Sequence, residues 1–209
     1  LKNLLKTMKN KIIKIGISGK IGSGKSVALN YLKSINIPCY NLDLESRKIM
    51  KRGMPCYEKI LNTFGKEVLN KNKKLNKRKI AEIVFNDKRK RDKLNSIVHP
   101  ELLKRVKELT IKNADKKKEF IVFEGALIKK TTKIGKFLDK IILIKSFQRI
   151  IIERVLARDN KTKEEIKKIL LAQKGITQNK NDYDFIVNNN GEISHLFQKL
   201  NSILEKISH

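Results

Sequence analysis

The stretch Gly19-Lys20-Ile21-Gly22-Ser23-Gly24-Lys25-Ser26 constrains this chain more than any other. It satisfies G-x-x-x-x-G-K-[ST] in full. It sits between a short apolar run, Ile12–Ser18, and a segment with helical periodicity, Lys25–Ser34. A strand, a glycine-rich turn and a helix in that order form a P-loop. The glycines let the backbone curl until several N–H groups converge on one phosphate, and the helix N-terminus adds its positive end. Residues Gly19, Lys20, Ile21, Gly22, Ser23, Gly24, Lys25, Ser26 and Val27 are therefore expected to cradle a nucleoside triphosphate. Lys25 would reach the β- and γ-phosphates, and the Ser26 hydroxyl would ligate Mg²⁺.

The rest of the chain supports that context. Ile37–Tyr40, Phe120–Phe123, Lys140–Ile144 and Phe185–Val187 read as further short strands. Gln148–Gln173 reads as a long helical segment with a charged hinge at Arg158–Lys161, and Ile193–Ile207 as a final amphipathic helix. Strands alternating with helices predict an α/β fold: a parallel sheet of about five strands covered on both faces. The residues from Asp43 to about Asp115 are almost all helical in pattern, with breaks expected at Gly53–Pro55, Gly65 and Pro100. That block is too long for a simple crossover and is expected to form its own lobe.

Composition narrows the function classes. With 49 Lys and Arg against 21 Asp and Glu, the formal net charge is +28. One reading is a nucleic-acid-binding surface. The other is a compositional bias toward Lys, Asn and Ile, as A/T-rich codons impose. The lysines are spread over nearly every helix and are not interleaved with aromatics, which favours bias and an expectation of no nucleic-acid partner. No apolar stretch approaches the roughly 20 residues of a membrane span. The N-terminus has neither the apolar core nor the cleavage site of a signal peptide, so a cytoplasmic location is expected, with Leu1–Thr7 an upstream extension and a natural start at Met8. Cys39 and Cys56 form no metal-ligand pattern and are expected to be two reduced thiols.

Two acids stand where P-loop chemistry would use them. Asp43 follows the second strand. There it would either accept the proton of an attacking hydroxyl or cap the helix that follows. Glu124 closes the apolar strand Phe120-Ile121-Val122-Phe123 as a metal-water ligand would, or as an ordinary polar strand end. Asn179-Lys180-Asn181-Asp182 spells the guanine-reading N-K-x-D, but it follows a helical segment and precedes the strand, so it is set aside.

From about Lys11 to Ile207 the chain resembles the dephospho-CoA kinase family. The resemblance runs through Ile17–Ser26, Asn41-Leu42-Asp43 with Arg47, Arg52-Gly53-Met54-Pro55 with Phe64-Gly65, and Leu94-Asn95-Ser96-Ile97-Val98-His99-Pro100. It continues through Glu153–Asp159, Ala172-Gln173 and Val187–Gly191. It implies transfer of the γ-phosphoryl group of ATP to the 3′-hydroxyl of dephospho-CoA, the last step of coenzyme A biosynthesis, with Mg²⁺ as cofactor. It also implies a core of residues 1–43, 119–148 and 184–209, a helical CoA-binding lobe at 44–118 and a lid at 149–183. Lys25, Asp43 and the lid arginine Arg158 are the catalytic residues it suggests. Asp43, Arg47, His99 and Glu124 are its substrate-binding candidates, His99 more as a structural residue of the lobe. Either Asp43 or Glu124 would help Ser26 with the metal through water. The expected assembly is a monomer or weak oligomer.

The chain departs from the family at several points. Asn41 replaces the first acid of the family's pair, and Lys20 replaces its second glycine. Gly125–Lys129 stands where Pro-Leu-Leu-x-Glu is usual, and Ile176 and Asn179 stand where arginines are usual. The alternatives are another small P-loop nucleoside or nucleotide kinase, and a nucleic-acid-stimulated P-loop ATPase.

Overall fold

The computed structural model describes residues 12–85, 87–126, 128–177 and 179–208, so the expected start at Met8 lies outside the described residues. Five strands form one sheet: β1 (Ile13–Ser18), β2 (Cys39–Asn41), β3 (Phe120–Glu124), β4 (Lys140–Lys145) and β5 (Phe185–Asn188). Their order is β2-β3-β1-β4-β5, and every pairing is parallel. Helices between the strands make this possible, because parallel neighbours need crossovers that return the chain to the same end of the sheet. The helices are α1 (Lys25–Ser34), α2 (Leu42–Ile49), α3 (Pro55–Phe64), α4 (Lys77–Phe85), α5 (Lys88–Ala114), α6 (Lys133–Phe137), α7 (Gln148–Arg158), α8 (Lys163–Ala172) and α9 (Ile193–Ser208).

The chain divides into two compact units, Leu1–Asn41 with Lys112–His209, and Leu42–Ile111. In the first, β1 is central. Its Ile15 and Ile17 are fully buried with Val122, Ile142, Ile144 and Val187 of the neighbouring strands. Ala28, Leu29 and Leu32 of α1 and Leu196, Leu200 and Ile203 of α9 close this layer, at the i, i+3/i+4 and i+7 spacing of one helix face. Burying an aliphatic side chain of this kind contributes roughly 1.5–3 kcal/mol, so this layer holds β1 firmly and with it the loop that leaves its carboxyl end.

The second unit is helical, with a short 3-10 turn at Lys66–Val68 and one isolated bridge, Leu69 to Leu75. Its core includes Ile49, Cys56, Tyr57, Ile60, Val68, Leu102 and Val106. Glu45 is buried there and paired with Lys48 at 2.6 Å and Arg105 at 2.9 Å.

Two details differ from the sequence reading. Strand β2 is displaced toward Asn41, because Pro38 has no N–H for the ladder and joins it only by accepting from Val122 N at 2.8 Å. The break expected at Pro100 does not occur: α5 continues from Lys88 to Ala114 with Pro100 inside it. The proline forgoes one backbone hydrogen bond. Leu102, Val106 and Leu109, one buried stripe on the following turns, supply the packing that outweighs that loss.

Candidate active site

The turn after β1 has the backbone its spelling calls for. Gly22 and Gly24 lie at φ 70° and 106°, the left-handed region that side chains disfavour. At Gly24 a Cβ would collide with the Asn189 amide, and that amide is in use, donating to Ser23 O at 2.9 Å. Helix α1 then begins without a side-chain cap, leaving its first N–H groups directed at the hollow of the turn. Ser26 and Val27 are exposed in its first turn. The Ser23 hydroxyl is buried, with no hydrogen-bond partner among the described residues.

Lys25 folds back over the loop. Its ammonium donates to Lys20 O at 3.1 Å and stands 3.7 Å from Glu124 Oε1. Both side chains are largely shielded, Lys25 11% and Glu124 4% exposed, so the attraction is little screened by water. The other oxygen of Glu124, Oε2, accepts a hydrogen bond from the Asn41 side-chain amide. Asn41 and Glu124 are opposite each other in the β2–β3 register, and for that reason residues 83 positions apart meet. An acid at position 41 would set two carboxylates against one another; the carboxamide donates instead and leaves Glu124 as the charge facing Lys25.

A second layer supports the loop from behind. Ser146 Oγ, just past β4, donates to Asn189 O at 2.6 Å and lies 3.3 Å from Ser23 O. The Arg154 guanidinium of α7 donates to Ser146 Oγ and to Asn189 O, each at 3.1 Å. A cavity of about 110 Å³ opens beside these groups, lined by Lys20, Ser23, Ser146 and Gln148 among others. Sequence reading assigned no role to Ser146, Arg154 or Asn189. The only signal was that Arg154 and Asn189 fall in stretches resembling the family.

The remaining expected residues lie elsewhere. Arg158, at the end of α7, forms two hydrogen bonds with Asp159, at 2.8 and 3.0 Å, which hold its guanidinium above its ordinary pKa. Asp43 and Arg47 are exposed on α2, and His99 is exposed on α5, all in the second unit. The departures in the α8–β5 connection, and Lys129 that reaches it from the segment after β3, have structural uses of their own. Lys129 donates to Gly175 O at 2.6 Å, Ile176 is buried, and Asn179 caps the 3-10 turn Lys180–Asp182. That last fact accounts for the decoy N-K-x-D spelling.

Among the described residues no group of three or more His, Cys, Asp and Glu could hold a metal ion. Ser26 and Glu124 nevertheless suit Mg²⁺, which takes one or two protein oxygens and completes its shell with phosphate and water. No helix of the described residues is long and apolar enough to cross a membrane.

A parallel sheet whose central strand runs into this loop and then into α1 defines a P-loop kinase fold. Solved structures share the fold. A Thermus thermophilus protein aligns over 93% of this chain and 97% of its own, with TM-score 0.77 and 24% identity. The dephospho-CoA kinase from Campylobacter jejuni aligns over 93% of this chain and 96% of its own, with TM-score 0.67 and 24% identity. The family model for dephospho-CoA kinase matches residues 13–195. The dephospho-CoA kinase of Fusobacterium nucleatum is 34% identical over 94% of this chain and 99% of its own length, and that of Bacillus anthracis is 31% identical over 92% and 96%. The chain belongs to the dephospho-CoA kinase family.

Proposed function

We propose that this enzyme, an ATP-dependent kinase by family, carries the γ-phosphoryl group of ATP to the ribose 3′-hydroxyl of dephospho-CoA through the following residue roles. The observation that carries the reading is the set Lys25, Glu124 and Asn41 at the carboxyl ends of β1, β3 and β2, beside the uncapped start of α1. The bond between the γ-phosphorus and its bridging oxygen breaks, leaving ADP. A bond to the acceptor oxygen forms, and the hydroxyl proton passes to Asp43. The transition state is loose, so positioning and charge neutralisation supply most of the acceleration. Lys25 leaves Lys20 O and follows the charge moving between the β- and γ-phosphates. Mg²⁺, when bound, would be held by Ser26 and, through water, Glu124, and neutralises phosphate charge.

In the same reading residues 1–43, 119–148 and 184–209 are the core, 44–118 is the acceptor lobe and 149–183 the lid. Arg47 and His99 belong to the acceptor side. Arg158 would exchange Asp159 for phosphate oxygen as the lid closes.

The test is phosphoryl transfer from Mg·ATP with dephospho-CoA, CMP, UMP, AMP and nucleosides offered in parallel. Selective transfer to dephospho-CoA is expected, with Asp43→Asn binding ATP normally but transferring poorly. A preferred nucleotide or nucleoside would overturn the acceptor, and full turnover in Asp43→Asn would leave Asp43 a first-turn acid of α2, which lies one residue inside the helix and not at the cap position the sequence offered. Hydrolysis that rises only on adding DNA or RNA would replace the kinase reading altogether.

A further inference from the structure

The crest of the phosphate loop is built into the packing of another part of the first unit. Ile21 packs against a cluster formed by Ile151 and Val155 of α7 and Ile166 and Leu170 of α8. Its backbone N–H donates to Gln173 Oε1 at 2.9 Å, across 152 residues of sequence. At the next residue, Gly22, a Cβ would stand 2.8 Å from Val155 Cγ2 and 3.0 Å from Ile151 O, so the turn is seated directly on α7.

Gln173 is itself held in place. It is the C-cap residue of α8, and its N–H donates to Ile169 O. The 3-10 turn that follows is secured by Lys129, which donates to Gly175 O at 2.6 Å, and by the Tyr183 hydroxyl, which donates to Ile176 O at 2.5 Å. The acceptor oxygen that meets Ile21 therefore projects from a fixed segment. The loop it meets is the opposite: three of its eight residues are glycines at positive φ, the backbone with most conformational freedom to lose.

We infer that Gln173 is a positioning residue for nucleotide binding, its side-chain oxygen holding the Ile21 amide so that the phosphate loop is curled before ATP arrives. A site whose competent form is only partly populated binds more weakly in proportion, and the Ile21–Gln173 bond raises that population. The inference also explains why α7 and α8, the proposed lid, carry an apolar cluster around Ile21: the pair sets the loop's shape as well as covering the site.

The test is direct titration of Mg·ATP binding to the full chain, with no acceptor present. It rests on the proposed function only in that ATP is the nucleotide, and a wrong acceptor assignment would leave it untouched. Gln173→Met keeps the side chain's length and bulk but offers only a weak thioether acceptor. Gln173→Glu keeps the oxygen. One neutral hydrogen bond contributes about 0.5–1.5 kcal/mol, so Gln173→Met is expected to weaken ATP binding roughly 2- to 12-fold. Gln173→Glu should stay within about twofold of the parent once salt screens the added charge, so both are measured at low and high salt. Saturating ATP should restore turnover in Gln173→Met, a KM effect without a matching kcat effect. Unchanged ATP affinity in Gln173→Met would overturn the inference. So would a Gln173→Glu variant as weak as Gln173→Met at both salt concentrations, since the acceptor oxygen would then not be what matters.

Discussion

Replacing Glu45 by Gln removes the one charge that two cations of the helical unit share. Glu45 is 2% exposed and joins Lys48 at 2.6 Å to Arg105 at 2.9 Å, tying α2 to α5. Burial alone would raise its carboxyl pKa; the hydrogen bonds and charges of Lys48 and Arg105 outweigh it and hold the group below the ordinary carboxylate value. Breaking a buried pair from one side costs about 3–5 kcal/mol. Here the orphaned partners are not sealed in. Lys48 is 56% and Arg105 33% exposed, and Arg105 also reaches Glu108 at 3.4 Å, so both recover solvent or a substitute. The expected loss is therefore nearer ~2–3 kcal/mol. At about 2–4 °C per kcal/mol for a chain of this size, Tm falls by roughly 4–12 °C. A group whose folded pKa is depressed contributes in full above its unfolded value, near 4.3, and loses that contribution as pH falls through the folded value. The gap between parent and Glu45→Gln should thus be complete at pH 7 and close progressively below about pH 4. Thermal melts and urea unfolding followed by circular dichroism at pH 7 and pH 3.5 measure it. A Tm change under about 1 °C at pH 7, or a gap undiminished in acid, would refute the reasoning.

Lys25→Ala should lower turnover ~10²- to 10³-fold, because the lysine is asked chiefly to stabilise transferring charge, and should also lower Tm, because it takes a cation from the shielded Glu124 carboxylate; steady-state kinetics well below the variant's melting range, beside a thermal melt, separates the two. Gly24→Ala forces a side chain into left-handed backbone and against the Asn189 amide, so a loss of about 1–3 kcal/mol from strain, with a comparable term from the clash, should appear as a lower Tm and failed ATP binding. Burial pushes the Cys39 thiol up to about 12, and burial with the nearby Glu101 carboxylate pushes Cys56 up to about 11. Neither is a thiolate at pH 8, and iodoacetamide should label them only as urea unfolds the chain, read by mass spectrometry.

What could be read from the residues in order was whatever chemistry is contiguous in the chain. The phosphate loop needs eight consecutive residues, a strand before and a helix after, and all of that is local, so its backbone could be foreseen along with the five strands. Pro100 shows the opposite case: local propensity argued for a break, and a buried stripe beginning half a turn later overrode it. The groups that complete the site are joined by register and packing. Asn41 meets Glu124 because β2 and β3 align them, Asn189 reaches Ser23 across 166 residues, and Gln173 reaches Ile21 across 152. Such pairs leave no periodic trace. For that reason, Asn41, Lys129 and Ile176 read in isolation only as departures from the family pattern, with no partner to explain them. In the folded chain Asn41 spares Glu124 a like-charged neighbour, Lys129 secures the turn after Gln173, and Ile176 fills that turn's buried side. A substitution at a motif position is therefore best judged by the partner it acquires: Asn41 costs the chain one acid, and its carboxamide instead donates to Glu124 Oε2 while Oε1 stands 3.7 Å from the Lys25 ammonium.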